Sequence, residues 1–322
     1  MRDDDQKSRG PGRAESPNGS DAAKPPRLDT EAPCLRIHRP PRQTLPVVVA
    51  SPHSGRNYPD DLIARSVLSP LRLRSSEDSF VDEIFAGAPE CGAPLLQALF
   101  PRVYVDVNRE PFELDQAMFA DPLPAYVTTR NARIAAGLGT IARVVSNAEP
   151  IYSDQLTFAE AKERIQTYYA PYHQALAALI LETQELFGYC ILLDCHSMPS
   201  GAVNNRSGKT VRDRPADAVL GDCHGTACSS LVTNEAEQLL VSMGYAVQRN
   251  NPYAGGFVTR HYGRPSDGIH ALQIELNRSI YMDEKRIQRL PTITKLTDDM
   301  TNLVRSVGRF RNPSAKQNQA AE

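Results

Sequence analysis

The sequence predicts a layered α/β fold built as one domain. Apolar runs typical of buried strands alternate with helical patterns, and this mixture favours helices packed against a central sheet. The chain has 322 residues, of which 41% are hydrophobic and 23% are charged, so it can bury a large core. In folds of this class, functional residues gather at the carboxyl ends of the strands.

Five apolar segments predict the strands. The run LPVVVAS at 45–51 is closed by a proline and is typical of a strand buried on both faces. Residues 94–100 and 103–107 predict two shorter strands. The run YCILLD at 189–194 and the apolar segment 269–276 predict two further strands of the sheet.

Two helices complete the pattern. Apolar residues recur every three or four positions across 158–187, which predicts a helix that Pro171 kinks or breaks. A second helix is predicted over 229–243, where a glycine follows directly. The segment GGFVTRHYGRP at 255–265 is typical of a turn followed by a strand.

The two ends of the chain differ from the rest in composition. Residues 1–33 and 311–322 contain almost no large apolar side chains, which predicts disordered tails. Residues 34–310 are therefore expected to form a single folded domain that carries the activity.

Charge, hydropathy and cysteine content exclude several classes of protein. The 36 Lys and Arg against 38 Asp and Glu give a net charge of −2, without the basic surplus of nucleic-acid-binding proteins. The longest apolar runs are far shorter than a membrane span, and the opening MRDDDQKSRG lacks the apolar core of a secretory signal. Six scattered cysteines do not indicate a disulfide scaffold. We therefore expect a cytoplasmic protein that binds neither nucleic acid nor membranes.

Two histidines follow buried strands. His53 lies in SPHSG after the first strand, and His196 lies in DCHSMPS after YCILLD. A rigid sheet holds side chains at such positions, which suits metal ligands. Each histidine alone is more simply explained as a hydrogen-bonded structural residue, but their equivalent positions favour a shared metal site.

A catalytic zinc ion needs a further ligand and keeps one position for water. No Glu follows His53 within one turn, so an acidic ligand must come from elsewhere. The segment SSEDSFVDEIF offers Glu77, Asp78, Asp82 and Glu83 at the start of a predicted helix. Because acids are common in the first turn of any helix, this pattern does not choose among them.

Two more motifs carry polar residues at strand ends or inside strands. In PRVYVDVNRE, Asn108 and Arg109 follow a predicted strand, and this pair suits the binding of a carboxylate. The alternative is a surface ion pair of Arg109 with Glu110 or Glu113. Glu275 lies inside the apolar ALQIELNRS, where an ionised carboxylate is costly unless it is paired or bound to a metal, or faces solvent on an outer strand.

Taken together, these motifs resemble the N-formylglutamate amidohydrolase family. The resemblance extends from about residue 45 to residue 284 and rests on SPHSG, SSEDSFVDEIF, FPRVYVDVNREP, PYHQAL, LLDCHSMPS, GGFVTRHYGRP and ALQIELNRSIYMDE, in family order. The family is remotely related to zinc carboxypeptidases and aspartoacylases. It therefore implies a three-layer α/β/α fold with a central mixed, mostly parallel sheet.

The resemblance also implies one zinc ion per chain. His53 and His196 match the two metal-binding histidines of the family. The acidic segment would supply the third ligand, with Asp78 favoured and Glu77 second.

The resemblance further implies a reaction. Asn108 and Arg109 match the pair that grips the substrate carboxylate in related deacylases, Glu275 falls at the catalytic glutamate, and Arg260 is a candidate for contacting the substrate and its oxyanion. The substrate would be an acidic N-acyl amino acid, N-formyl-L-glutamate, which is cleaved to formate and L-glutamate in the last step of histidine degradation. The alternatives are a zinc hydrolase of another N-acyl amino acid or small peptide, and a non-catalytic ligand-binding protein on the same scaffold.

Overall fold

A computed structural model describes residues 28–32, 34–203 and 214–310. Its main sheet has eight strands in the order β1-β2-β4-β3-β5-β8-β6-β7, and a small hairpin pairs β9 with β10. The strands are β1 (Leu28–Ala32), β2 (Leu35–Arg39), β3 (Val47–Ser51), β4 (Leu95–Ala98), β5 (Cys190–Met198), β6 (Ala218–Gly221), β7 (Val247–Arg249), β8 (Ile269–Asn277), β9 (Met282–Asp283) and β10 (Gln288–Arg289).

The α-helices connect and cover these strands. They are α1 (Asp60–Arg65), α2 (Pro70–Leu73), α3 (Val81–Ile84), α4 (Ala88–Cys91), α5 (Ala132–Ala135), α6 (Phe158–Arg164), α7 (Ala170–Phe187), α8 (Ser230–Ser242), α9 (Phe257–Tyr262) and α10 (Ile293–Gly308). Within the described ranges, no helix combines the length and the apolar character that crossing a bilayer requires.

The centre of the sheet is parallel. Strands β4, β3, β5 and β8 all run in one direction, whereas β1, β2 and β6 join the sheet through antiparallel pairs. This arrangement confirms the predicted mixed, mostly parallel sheet. Because the central strands share a direction, their carboxyl ends meet on one side, and the register of β5 with β8 places His196 opposite Glu275.

The two faces of the sheet carry separate apolar cores, so the molecule has three layers. Along β3, Val48 and Ala50 contribute to a core shared with α7. Val47 and Val49 contribute to the other core, which is shared with α3, α8 and α10. Successive side chains of a strand point to opposite faces, so a strand buried on both sides needs apolar residues at nearly every position. The predicted α/β/α architecture is confirmed.

The predicted helix over 158–187 exists as one continuous helical stretch with an irregular turn. Helix α6 leads into a π-helical turn over Ile165–Tyr169, and α7 follows. Pro171 has no N–H to donate, and in a regular α-helix its ring would clash with the carbonyl four residues earlier. That carbonyl belongs to the π turn, whose wider spacing accommodates the proline.

The strand predicted over 103–107 is wrong. The segment forms turns, in which the amide of Tyr104 donates to the carbonyl of Pro101 at 2.9 Å. A strand here could not have joined β4, because β2 and β3 already pair with both sides of β4.

The strand predicted within 255–265 is also wrong, since the segment contains α9. Its buried residues Val258, Thr259 and Tyr262 follow helical spacing. The GGF that precedes them permits the turn into the helix rather than a strand.

The predicted amino-terminal tail is ordered at its end. Leu28–Ala32 pairs antiparallel with β2, so disorder over the whole of 1–33 does not hold for these five residues. The rest of the two predicted tails, namely 1–27, Pro33 and 311–322, lies outside the described residues.

Candidate active site

A cavity of about 480 Å³ opens at the carboxyl ends of the parallel strands. His53 follows β3, while His196 and Glu275 lie near the ends of β5 and β8. Asn108 and Arg109, from the turns after β4, also line the cavity. Five of the seven residues singled out from the sequence therefore line one cavity.

The two histidines face a single carboxylate. Asp78 Oδ2 lies 3.3 Å from His53 Nδ1 and 3.0 Å from His196 Nδ1. One ligand atom from each of these three buried residues lies within 4.8 Å of the others, which is close enough for them to hold one metal ion. Asp78 reaches this place from the segment before α3, where its amide donates to the carbonyl of His53 at 3.1 Å.

Two further carboxylates fix the outer nitrogens, one on each imidazole. His53 Nε2 lies 2.8 Å from Asp106 Oδ1, and His196 Nε2 lies 2.9 Å from Asp194 Oδ1. Because an ionised carboxylate only accepts hydrogen bonds, each Nε2 carries a proton and donates it. Metal-binding histidines are usually oriented in this way by a carboxylate on the far side of the ring.

The inner nitrogens, Nδ1 of His53 and of His196, are the atoms that would bind a metal ion. His53 Nδ1 is buried and has no hydrogen-bond partner among the described residues. A neutral imidazole would direct its Nδ1 lone pair at the Asp78 carboxylate, an arrangement that is favourable only with a cation between them. Two imidazole nitrogens and one carboxylate form the type of three-residue set that leaves a catalytic zinc ion one open position. The donor set therefore fits a divalent metal.

The charges around the site keep Asp78 ionised. Burial raises the pKa of Asp78, but the hydrogen bond with His196 and the nearby His53 imidazole and Arg102 guanidinium outweigh it, so this pKa lies well below its usual value. Asp78 Oδ1 also accepts a hydrogen bond from Arg278 Nη2 at 3.0 Å. The carboxylate is thus available as an anionic ligand.

His196 experiences the opposite shift. Burial lowers the pKa of its imidazole, but the facing carboxylates of Asp194 and Asp78 raise that pKa well above its usual value. A site without an ion is therefore stabilised by a second proton on this ring. A metal ion would take the place of that proton.

Glu77 and Asp78, the two acids that the family resemblance favours, lie in different surroundings. Glu77 accepts hydrogen bonds from Arg74 and Ser79 and lies outside the histidine cluster, whereas Asp78 lies inside it. The remaining acids of the segment, Asp82 and Glu83, bind a nearby arginine.

Glu275 lies beside the histidine cluster and lines the cavity. Its Oε1 accepts a hydrogen bond from Gln273 Nε2 at 2.8 Å. Only 7% of its surface is exposed, and burial raises its pKa to about 7 although the nearby His196 opposes the shift. A carboxyl group with such a pKa can both accept and release a proton near neutral pH.

Arg109 and Asn108 differ in how many of their polar atoms already make hydrogen bonds within the protein. Arg109 donates from Nε to the carbonyl of Leu138 at 3.0 Å and from Nη1 to the carbonyl of Asn108 at 3.0 Å. Asn108 Oδ1 accepts from the amide of Val258 at 2.8 Å, and its Nδ2 lies 3.2 Å from His196 Nε2. Asn108 therefore connects the turn after β4 with α9 at the edge of the cavity. Arg109 still has N–H groups available to bind a ligand.

Arg260 does not reach the cavity. It lies on the exposed side of α9 and donates to the carbonyl of Gly255 at 3.1 Å. The helix directs Val258, Thr259 and Tyr262 inward, so its arginine points to solvent. The predicted role of Arg260 as a substrate contact is not supported by this position.

Several charged or polar residues at the site were not recognised from the sequence. A charged or polar side chain buried inside an apolar run is costly unless it is paired, and all of these residues lie inside the motifs already singled out. That rule could therefore have identified them from the sequence. They are Arg102, Asp106, Asp194, Gln273 and Arg278.

The chain is similar to known proteins over most of its length. A family model described as N-formylglutamate amidohydrolase matches residues 45–282. N-formylglutamate deformylases from Pseudomonas putida and Pseudomonas aeruginosa are each 28% identical to it, over 243 and 248 residues. These matches cover 74% and 76% of this chain and 83% and 85% of the relatives.

Solved structures agree with this similarity. A crystal structure of N-formylglutamate amidohydrolase from Ralstonia eutropha JMP134 superimposes with a TM-score of 0.80 and 36% identity, covering 88% of this chain and 99% of the other. A protein from Agrobacterium tumefaciens shares the fold with a TM-score of 0.60 and 15% identity, covering 89% of this chain and 96% of the other.

Proposed function

Because the chain belongs to the N-formylglutamate amidohydrolase family, we propose that it hydrolyses the formyl amide of N-formyl-L-glutamate to formate and L-glutamate. One observation carries the proposal: the His53–Asp78–His196 cluster and Glu275 lie together at an arginine-lined cavity. Membership of this family supports amide hydrolysis in general, and the arginines that line the cavity support an acidic substrate.

The cluster would hold one zinc ion per chain through His53, Asp78 and His196. When bound, the ion would polarise the formyl oxygen and lower the pKa of a water molecule. The carboxylates of Asp106 and Asp194 hold the two imidazoles in the required orientation.

Glu275 would carry the protons of the reaction. It accepts a proton from water as the water oxygen bonds to the formyl carbon, and it then gives that proton to the amide nitrogen as the C–N bond breaks. Its burial holds its pKa near neutrality, which suits both transfers. The hydrogen bond from Gln273 fixes the carboxyl group for the two steps.

Arg109 would bind the α-carboxylate of the substrate. Its guanidinium lines the cavity and is anchored through two backbone carbonyls, so its remaining N–H groups are directed before a ligand arrives. Asn108 would support this arrangement through its bonds around α9, in addition to any contact of its own.

We also propose the wider setting that the family resemblance implies. The products are those of the last step of histidine degradation, and we place the enzyme in the cytoplasm. Residues 34–310, joined by β1, would form one catalytic domain, since all their described strands except the β9–β10 hairpin belong to one sheet.

A formate-release assay tests the proposal. The purified, zinc-loaded protein is supplied with N-formyl-L-glutamate, with N-acetyl-L-glutamate as the matched substrate. We expect formate at a rate proportional to enzyme and dependent on metal, and far slower acetate release. Preferred release of acetate or cleavage of small peptides would indicate the alternative hydrolase, and tight binding without turnover would indicate a binding protein.

A further inference from the structure

The arginines that line the cavity fall into two groups. Arg102 donates to Asp106 Oδ2 at 2.8 Å, and Arg278 donates to Asp78 Oδ1 at 3.0 Å. These two guanidiniums therefore offset the carboxylates that surround the histidine cluster. They are already paired before any substrate enters.

Arg109 and Arg133 form the second group. Both line the cavity, yet among the described residues neither guanidinium has a carboxylate oxygen within ion-pair distance. Glu113 is the nearby acid; it is buried, its Oε2 has no hydrogen-bond partner, and burial raises its pKa. Among the described residues, the cavity thus contains two cationic groups that are not paired with a carboxylate, which is the complement of a ligand with two carboxylates.

A single short segment holds these two arginines near each other. Arg109 Nε donates to the carbonyl of Leu138 at 3.0 Å, and the amide of Leu138 donates to the carbonyl of Arg133 at 2.9 Å. Burial, together with the positive charge of Arg133, lowers the pKa of Arg109 to about 10, although the Asp106 carboxylate opposes this shift. Such like-charge repulsion is relieved when an anion binds between the two groups.

The short helix that carries Arg133, α5, is capped at its amino-terminal end. The side chain of Asn131 accepts hydrogen bonds from the amides of Arg133 and Ile134, and Ile134 is buried. Arg133 itself is exposed at the mouth of the cavity, so its guanidinium can reach a ligand without losing a structural bond.

Apolar side chains lie along the same part of the cavity. Leu138, Ala142 and Val144 line the cavity together with Arg109 and Arg133. A short aliphatic chain that joins two carboxylates would pack against these residues.

From these observations we propose that Arg133 forms a subsite for the side-chain carboxylate of the substrate, while Arg109 takes the α-carboxylate. This inference rests on the proposed function and deepens it, because it explains why an acidic N-formyl amino acid is preferred over a neutral one. Arg133 would thus determine specificity without taking part in bond breaking.

The test compares N-formyl-L-glutamate with N-formyl-L-glutamine, whose side chain has the same shape but no charge. Losing one charged hydrogen-bonded contact should lower the ratio of kcat/KM values for the two substrates by roughly ten- to a hundredfold in Arg133→Ala. The loss should appear mainly in KM for the glutamate substrate, with the glutamine substrate nearly unaffected. Arg133→Lys should restore part of the ratio.

The control is Arg130→Ala, which removes an exposed arginine from the same segment outside the cavity. It should leave the ratio unchanged. Calorimetric binding of L-glutamate against L-glutamine to the zinc-loaded proteins gives a measure that does not depend on turnover, and Arg133→Ala should lose the difference.

The outcomes separate this inference from the proposed function. A wild-type protein that hydrolyses N-formyl-L-glutamate, with an unchanged ratio in Arg133→Ala, would overturn the subsite alone. A wild-type protein that releases no formate from N-formyl-L-glutamate would overturn the proposed function and the subsite with it.

Discussion

At the scale of single residues, Glu275 combines burial with access to the cavity. Replacing it by Gln preserves the size of the side chain and removes the carboxyl group that would move the proton. We expect Glu275→Gln to lower kcat by at least about 10²-fold, the usual scale for a general base, while zinc content stays at the wild-type level. Single-turnover rates and metal analysis check both parts, and near-normal turnover would remove Glu275 from the mechanism.

The histidine cluster gives a second prediction, measured as metal content. His53→Ala removes one of three ligand atoms, so we expect zinc stoichiometry to fall close to zero after dialysis. His261→Ala changes an exposed histidine of α9 and serves as the control. Full zinc content in His53→Ala would exclude this residue as a ligand.

Metal affinity should also depend on Asp106, which would not bind the metal itself but is hydrogen-bonded to His53. Asp106→Asn weakens the acceptor that orients His53, and we expect zinc affinity to fall by roughly 10- to 100-fold. Competition with a chelator measures the change, and an unaltered affinity would show that the imidazole is oriented without this carboxylate.

The choice between Asp78 and Glu77 shows where the sequence is insufficient at this scale. Both acids are adjacent in SSEDSF, and composition or helix position cannot distinguish them. Their directions differ because the backbone of Glu77 is extended, with φ −65° and ψ 144°, and successive side chains of an extended chain point to opposite sides. Which of the two sides faces the histidines depends on contacts with distant segments, which the residue types do not contain.

At the scale of the elements, the π turn and α7 hold the backbone at residues 107–109 through side-chain hydrogen bonds. Tyr169, its last residue, donates from its hydroxyl to the carbonyl of Arg109 at 2.8 Å. On α7, His173 Nε2 lies 2.9 Å from the carbonyl of Val107. The helix thus holds the backbone on both sides of Asn108, and π turns occur frequently at functional sites.

Tyr169→Phe tests this support. The change leaves the Arg109 carbonyl without its partner, at a cost of about 1 kcal/mol, and loosens the guanidinium. We expect KM for N-formyl-L-glutamate to rise severalfold with a smaller change in kcat and unchanged zinc content. Tyr168→Phe is the matched control because the Tyr168 ring contacts other aromatic rings while its hydroxyl has no hydrogen bond among the described residues. Equal effects in both variants would contradict a positioning role for Tyr169.

The sequence predicted the long and strongly patterned elements and missed others for identifiable reasons. Continuous apolar runs identified β3, β5 and β8, so His53 and His196 could be assigned to the ends of strands and Glu275 to the inside of one. The segment 103–107 is equally apolar, yet it forms turns. In these turns Asp106 makes hydrogen bonds with His53 and Arg102. Strand pairing is decided by distant segments, which a local pattern does not contain.

At the scale of the whole molecule, the metal should stabilise the fold. The ligands come from segments far apart in the chain, so an ion that binds them binds the native state and not the unfolded one. At a hundredfold excess over Kd, such binding adds about 2.7 kcal/mol to the free energy of unfolding. We expect Tm to rise with zinc concentration in the wild-type protein and to be nearly independent of it in His53→Ala. An equal rise in both would indicate binding elsewhere.

The strand Leu28–Ala32 has a practical consequence for any shortened form of this protein. A chain that began at residue 34, as amino-acid composition alone would recommend, would leave the outer backbone groups of Leu35–Arg39 without their antiparallel neighbour. Exposed rims of this kind recruit strands from other molecules. Removing residues 1–33 would therefore remove the pairing of β1 with β2, and the shortened protein would self-associate and be poorly soluble.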